Sequence, residues 1–491
     1  MKLTSCHPRT HSLYHPRALL LLIFTMTLLS LAGCEKAGNP VRQPIVSEDS
    51  LQGNAVSNSY DRIMASDKGY YYNEFPYVMS LHYQDAATGK DMLLCNKPEC
   101  RHDGNQYCVA TNANYTPIAF QYYADSIFVC VYETVDDTLN YKLLQIAPDG
   151  SSLSELATYF TTPKNGIDKP TAPENTTGML IHRNKVIINF SYHREDAEKD
   201  ALHPEDMDKD AYYNGVAIID LNDFSVTQAY EEAASPENMP WTRLTAKGDF
   251  LYYVIAEAHK NILHKRNLTD GTDEILKLAT GFGGEFVVLE GDLVVYTRAV
   301  GRSMFLYDPK DESNTETAVS KDINLTVHYT WSDKVQSFVP SYVEETKTDL
   351  YTYAIDSIAS DGERLYVLEQ PKTLQLQHDI DDDYHPATID NHFNFNIFSV
   401  VHIFNTSMEE TGTTYVLYPY EALGMDASTF DQWLYGNRNY SIRRALRFLG
   451  DQIYFSFPKA TLVCSLQSFL NGKPDFQMAY EKQWVVTEDP Y

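Results

Sequence analysis

Positive charge is what this chain most lacks: 39 Lys and Arg stand against 67 Asp and Glu over 491 residues, a formal net charge of −28. Such a surface repels phosphate backbones and anionic lipid headgroups. It excludes nucleic acid as a partner and excludes the protein surface itself as a membrane anchor. Apolar runs are short. The one that stands out, residues 18–31, ends in small residues and falls short of the about 20 apolar positions that span a bilayer comfortably. Signatures of chemistry are equally thin. Gly301-Arg302-Ser303-Met304-Phe305 lacks the final glycine of a nucleophile elbow. There is no phosphate-binding glycine loop, no HExxH helix and no S-x-D-x-G-x-T-W box. Tryptophan is rare, 4 residues, whereas tyrosine is abundant at 36. Aromatic and β-branched residues favour strands, so the composition points to an all-β protein.

The N-terminus is more informative. Lys2, Arg9 and Arg17 precede the apolar run, and Leu31-Ala32-Gly33-Cys34 follows it, the layout of a secretory signal. The ending resembles the lipobox of bacterial lipoproteins. That resemblance implies cleavage after Gly33 and a diacylglycerol, carrying fatty acids such as palmitate, on the thiol of Cys34. The protein would then sit at the cell membrane by its lipid, facing outside the cytoplasm. Removal of the signal takes away three positive charges and no negative ones, leaving about −31. The expected organisation is a signal peptide over 1–33, the acylated cysteine with a polar flexible tether over 34–58, and one folded domain over 59–491.

Within that domain one phrase recurs seven times: a turn bearing Gly, Asp or Asn, then a strongly apolar aromatic strand. Examples are Asp125-Ser126-Ile127-Phe128-Val129, Asn184-Lys185-Val186-Ile187-Ile188 and Gly248-Asp249-Phe250-Leu251-Tyr252-Tyr253. Others are Gly291-Asp292-Leu293-Val294-Val295 and Gly450-Asp451-Gln452-Ile453-Tyr454. Downstream partners such as Val216-Ala217-Ile218-Ile219 complete hairpins. A four-stranded sheet cannot bury both its faces alone, but sheets packed face to face around an axis can. The expected fold is a β-propeller of seven blades, about four antiparallel strands each, with six or eight left open. A two-sheet sandwich is the alternative.

The densest chemical cluster is Leu94-Cys95-Asn96-Lys97-Pro98-Glu99-Cys100-Arg101-His102, followed by Cys108. Three thiolates and one imidazole would complete a tetrahedral zinc shell, and a shell of four protein ligands is closed and structural. Outside the cytoplasm, thiols also pair. With Cys6 lost with the signal and Cys34 acylated, five cysteines remain to pair, an odd number, with Cys130 near enough in sequence to join two disulfides and Cys464 set in an apolar strand as a buried, inert thiol. Disulfide, structural zinc and free thiols all stay open. The L-C-x-x-P-x-C-x-H stretch resembles a motif of uncharacterised extracytoplasmic β-propeller lipoproteins of anaerobic Gram-positive bacteria. The resemblance implies architecture and address, and no reaction.

Two acidic insertions, residues 195–210 and 378–390, read as long loops on a rigid scaffold. The second carries Asp379, Asp381, Asp382 and Asp383, carboxylates of the kind calcium accepts, although without the spacing of an EF-hand. A short helix is expected over 426–435. The functional expectation is a non-enzymatic, membrane-anchored binding or scaffold protein for an extracellular glycan, peptide or protein. The alternative is a propeller enzyme of the glycoside hydrolase or lyase type, with channel carboxylates acting on extracellular polysaccharide.

Overall fold

The computed structural model describes residues 57–58, 63–66, 68–73, 78–163, 178–193, 212–234, 244–257, 260–279, 282–298, 303–319, 323–345, 349–373, 398–417, 421, 445–449, 451–456 and 460–481. Cys34, both acidic insertions with their calcium candidates, and the helix expected over 426–435 lie outside the described residues. Among the described residues no helix is long and apolar enough to cross a membrane.

The fold is an all-β propeller whose described strands form seven antiparallel sheets. The first sheet pairs Ile63–Ala65, Gly69–Asn73, Leu81–Asp85 and Asp91–Leu93 in order. The second pairs Thr116–Tyr123, Ser126–Val135, Thr138–Ile146 and Leu153–Pro163. The third is Gly178–His182, Lys185–His193, Tyr212–Asp220 and Val226–Ala234, and the fourth Leu244–Lys247, Phe250–Glu257, Lys260–Asn267 and Asp273–Ile275. The fifth is Phe282–Val288, Val294–Arg298, Ser303–Asp308 and Ser313–Ala318. The sixth is Asp349–Ser360, Leu365–Thr373, Phe398–Phe404 and Glu410–Leu417, and the seventh Ala445–Leu449, Gln452–Ser456, Ala460–Ser465 and Gln477–Glu481. The first strands of successive sheets lie side by side, which is what sets the sheets around a common axis and rules out a two-sheet sandwich.

Two features depart from the sequence reading. Each recurrent phrase opens on the second strand of a sheet, not the first. Its turn closes the innermost hairpin, and left-handed residues shape it: Ala124 and Asp125 (φ 46° and 54°), Arg183 and Asn184 (45° and 60°), Gly291 and Asp292 (74° and 63°). The second strand carries the signal because neighbouring sheets cover both its faces. Ile127 to Val131 are all buried, as are Val186, Ile187 and Ile188, so the run is continuously apolar rather than alternating. The sheets are also not equal four-stranded blades. Ser57–Asn58, the last two residues read as tether, pair with Met179 and Gly178 and give the third sheet a fifth strand. A hairpin of Ile323–Ser332 and Ser337–Glu345 joins the sixth through pairing of residues 323–325 with 349–351.

Apolar layers between sheets form the core. Leu180, Ile187 and Val216 of the third sheet meet Leu244, Leu251 and Tyr253 of the fourth, and the sixth and seventh share Leu368, Val401, Phe448 and Phe455. Each fully buried aliphatic chain contributes about 1.5 to 3 kcal/mol relative to exposure. Phe160 stacks on Phe190 at 4.8 Å across the second and third sheets. The first and seventh meet through Tyr70, edge-on to Tyr454 at 6.4 Å.

Candidate metal centre and aromatic hairpin

Between the first and second sheets, residues 94–115 form a loop with no strand of its own, yet several of its apolar members are buried. Leu94, Val109 and Tyr115 join the core shared by those two sheets. Backbone bonds sew the loop down: Leu94 N–H donates to Leu81 O (2.8 Å), and Leu81 N–H to Ala110 O (3.0 Å). On the opposite side the Pro148-Asp149-Gly150 turn of the second sheet presses against it, where Asn96 N–H donates to Gly150 O at 3.2 Å. Gly150 is left-handed (φ 69°), and a Cβ there would stand 2.5 Å from Leu94 O and 2.8 Å from Cys95 N. Asp-Gly is a common turn dipeptide, and here Asp149-Gly150 forms the wall against which Cys95 is set.

Inside this cradle the four sequence candidates converge. One donor atom from each of Cys95, Cys100, His102 and Cys108 lies within 4.8 Å of the others. A turn closed by Cys100 N–H to Lys97 O (3.0 Å) carries Cys100 inward, and His102 follows in the left-handed region at φ 54°. Its Nδ1 lies 3.5 Å from Cys108 Sγ. Cys108 is buried, and its sulfur accepts from Thr111 N–H (3.4 Å) and Thr111 O–H (3.2 Å). Burial pushes the Cys108 thiol up, but the bonds from Thr111 and His102 outweigh it and bring its pKa down to about 6. Cys100 moves the other way, to about 11: a backbone bond at His102 acts downward, but burial and the neighbouring Cys108 and Cys95 sulfurs prevail.

Cys130 does not join this group. It is buried between the second and third sheets, its sulfur 3.4 Å from Met179 Sδ, so two disulfides built from Cys95, Cys100, Cys108 and Cys130 are ruled out. Cys464 sits in the core between the sixth and seventh sheets, where burial raises its pKa to about 11. That is the inert thiol expected of it.

The second feature was not legible as a site in the sequence. In the extra hairpin Tyr329 pairs with Pro340 and Trp331 with Phe338, and strand alternation sets all four on one face. Tyr329, Trp331 and Phe338 are 47%, 52% and 61% exposed, and Tyr342 is 52% exposed. The opposite face is fixed: Val339 enters the core of the sixth and seventh sheets, and buried Ser332 donates to Glu421 at 2.9 Å. Trp331 Nε1 donates to Asp333 (2.9 Å), its ring lies edge-on to Phe338 at 5.3 Å, and His328 stacks on Tyr342 at 4.1 Å. The rings are therefore held on a rigid support and offered to solvent.

Among the described residues Glu369 is the one buried carboxylate. It lies on the second strand of the sixth sheet, 3.1 Å from His402 Nε2, while His402 Nδ1 bonds Glu410 at 2.8 Å. Burial pushes the His402 imidazole down, but the two carboxylates outweigh it and hold its pKa above the ordinary value.

No family model matches the chain. No curated protein matches it either. Solved structures with a similar course of chain include a streptogramin B lyase, 9% identical with a TM-score of 0.37, over 84% of this chain and 94% of that one. An oligogalacturonate lyase in complex with manganese is 10% identical with a TM-score of 0.35, over 82% of this chain and 83% of that one. Hsv2 of Kluyveromyces lactis is 8% identical with a TM-score of 0.37, over 82% and 91%. Likeness at this level carries no argument about activity.

Proposed function

We propose that the chain is an extracytoplasmic binding protein, held on the outer side of the cell membrane by lipid on Cys34, that takes a neutral extracellular glycan on the aromatic face of its extra hairpin. One observation carries the reading: Tyr329, Trp331 and Phe338 are displayed together on a hairpin that buried Val339 and Ser332 anchor from the other face. Exposed aromatic surface of this kind marks a contact site rather than a packing remainder. A sugar ring offers an apolar C–H face and a polar rim, which suit flat rings with a polar tip. The net charge of −28 sets anionic polymers aside and leaves uncharged ones.

Glycan-array screening of the full chain in detergent, followed by calorimetry on the best ligand, tests this. Trp331→Ala combined with Phe338→Ala is expected to weaken binding by at least about thirtyfold, the effect of losing anchors worth about 2 kcal/mol. Tyr107→Ala, at an exposed aromatic outside the hairpin, is expected to leave it unchanged. Equal affinity in the double variant would refute the assignment.

A further inference from the structure

We infer that Cys95, Cys100, His102 and Cys108 bind one zinc ion as a closed site of three thiolates and one imidazole that fastens the 94–115 loop to the second sheet. The convergence of the donors is the first argument: four atoms of three soft sulfurs and one imidazole lie within a sphere that a single tetrahedral ion would span.

The second argument is arithmetic. Cys130 is committed against Met179 and Cys464 to the core of the sixth and seventh sheets, so the loop has three thiols to itself. A disulfide uses two and leaves a thiol and an imidazole side by side; a metal uses all four.

Third, the chain holds non-glycine His102 at φ 54°, a conformation worth explaining at any residue other than glycine, and the result is a ring beside Cys108. A disulfide would not require it. Fourth, Thr111 aims both its N–H and its O–H at the Cys108 sulfur, an arrangement that supports a thiolate ligand and fixes its direction.

Sulfur donors select the ion. Calcium, magnesium and manganese prefer oxygen, whereas three cysteines with one histidine are a standard structural zinc shell without redox chemistry. Binding one Zn2+ forms three Zn–S bonds and one Zn–N bond, and any proton still on the three sulfurs leaves to solvent. With four protein ligands no position stays open for substrate, so the ion's work is mechanical. It replaces the strand pairing that this loop lacks.

The test uses the full chain isolated in detergent from its native membranes, without reductant or a histidine tag. Elemental analysis is expected to give about one zinc per chain. Replacement by cobalt is expected to give the intense visible bands of a tetrahedral thiolate site. Cys95, Cys100 and Cys108 should resist alkylation until a chelator is added, then all react. His102→Ala should lower zinc affinity by tenfold or more and Thr111→Val by about tenfold, whereas His102→Cys should keep the ion in a shell of four thiolates and Cys464→Ser should change nothing. A disulfide between any two of the loop cysteines in the isolated protein would overturn the inference, as would wild-type protein without zinc that fails to bind cobalt. These two readouts are taken on the wild type and stand even where a variant fails to fold.

Discussion

Gly150→Ala separates two costs that are usually confounded. Gly150 has φ 69°, where an L-residue pays about 1 to 2 kcal/mol for its Cβ. A second cost is particular to this position, because the added carbon would stand 2.5 Å from Leu94 O, 2.6 Å from Leu94 C and 2.8 Å from Cys95 N. All three are backbone atoms, so no side chain can swing away, and the loop itself must shift. Forced overpacking of this kind adds about 1 to 3 kcal/mol. Gly248→Ala is the matched control, with φ 57° and nothing within 4 Å of the added carbon. Urea unfolding of both variants beside wild type, read as midpoints at constant slope, is expected to show Gly248→Ala down by about 1 to 2 kcal/mol and Gly150→Ala by about 2 to 5. Because the displaced atoms carry Cys95, Gly150→Ala should also hold zinc less tightly, and Gly248→Ala should not. Equal midpoints in the two variants would refute the claim that the turn is the wall of the cradle.

Two further outcomes are expected. His402→Gln should cost about 1.5 to 3 kcal/mol at pH 6, for a charged hydrogen bond lost in a buried site. The folded pKa of His402 is raised above the 6.5 of the free side chain, so its stabilisation is fully present below 6.5 and is lost as pH rises through the folded value. The gap between variant and wild type should therefore narrow from pH 6 to pH 9; a constant gap would show that the imidazole is not charged in the folded protein. At the N-terminus, Cys34→Ala is expected to leave the chain uncleaved and without lipid, and mass spectrometry of the wild-type first peptide should show an acylated Cys34. An unmodified Cys34 at the mature terminus would refute the anchor.

The architecture was legible because second strands covered on both faces write themselves as unbroken apolar runs, as Ile127 to Val131 does. Not every first strand was: Leu244–Lys247 is a short, half-polar stretch that reads as strand only once its hairpin partner is known. The frame of the repeat consequently slipped by one strand. The Cys/His cluster was legible because its members sit within fourteen residues of one another, but Thr111 and Gly150 were not, since one contributes through a hydroxyl and the other through the absence of a side chain. The aromatic hairpin escaped for another reason. Strand alternation of Tyr329 and Trp331 looks like any half-buried strand, and only the packing of the folded hairpin, with Val339 in the core, leaves those rings exposed.

In the described residues every strand of the first sheet comes from one end of the sequence and every strand of the seventh from the other, so no backbone ladder buckles them together. Tyr70 and Tyr454 meet there edge to face, with a hydrogen bond between their side chains. Consecutive sheets elsewhere in the ring are tethered by the chain that runs from one to the next, so among the described residues this joint is the one that relies on side-chain packing without such a tether.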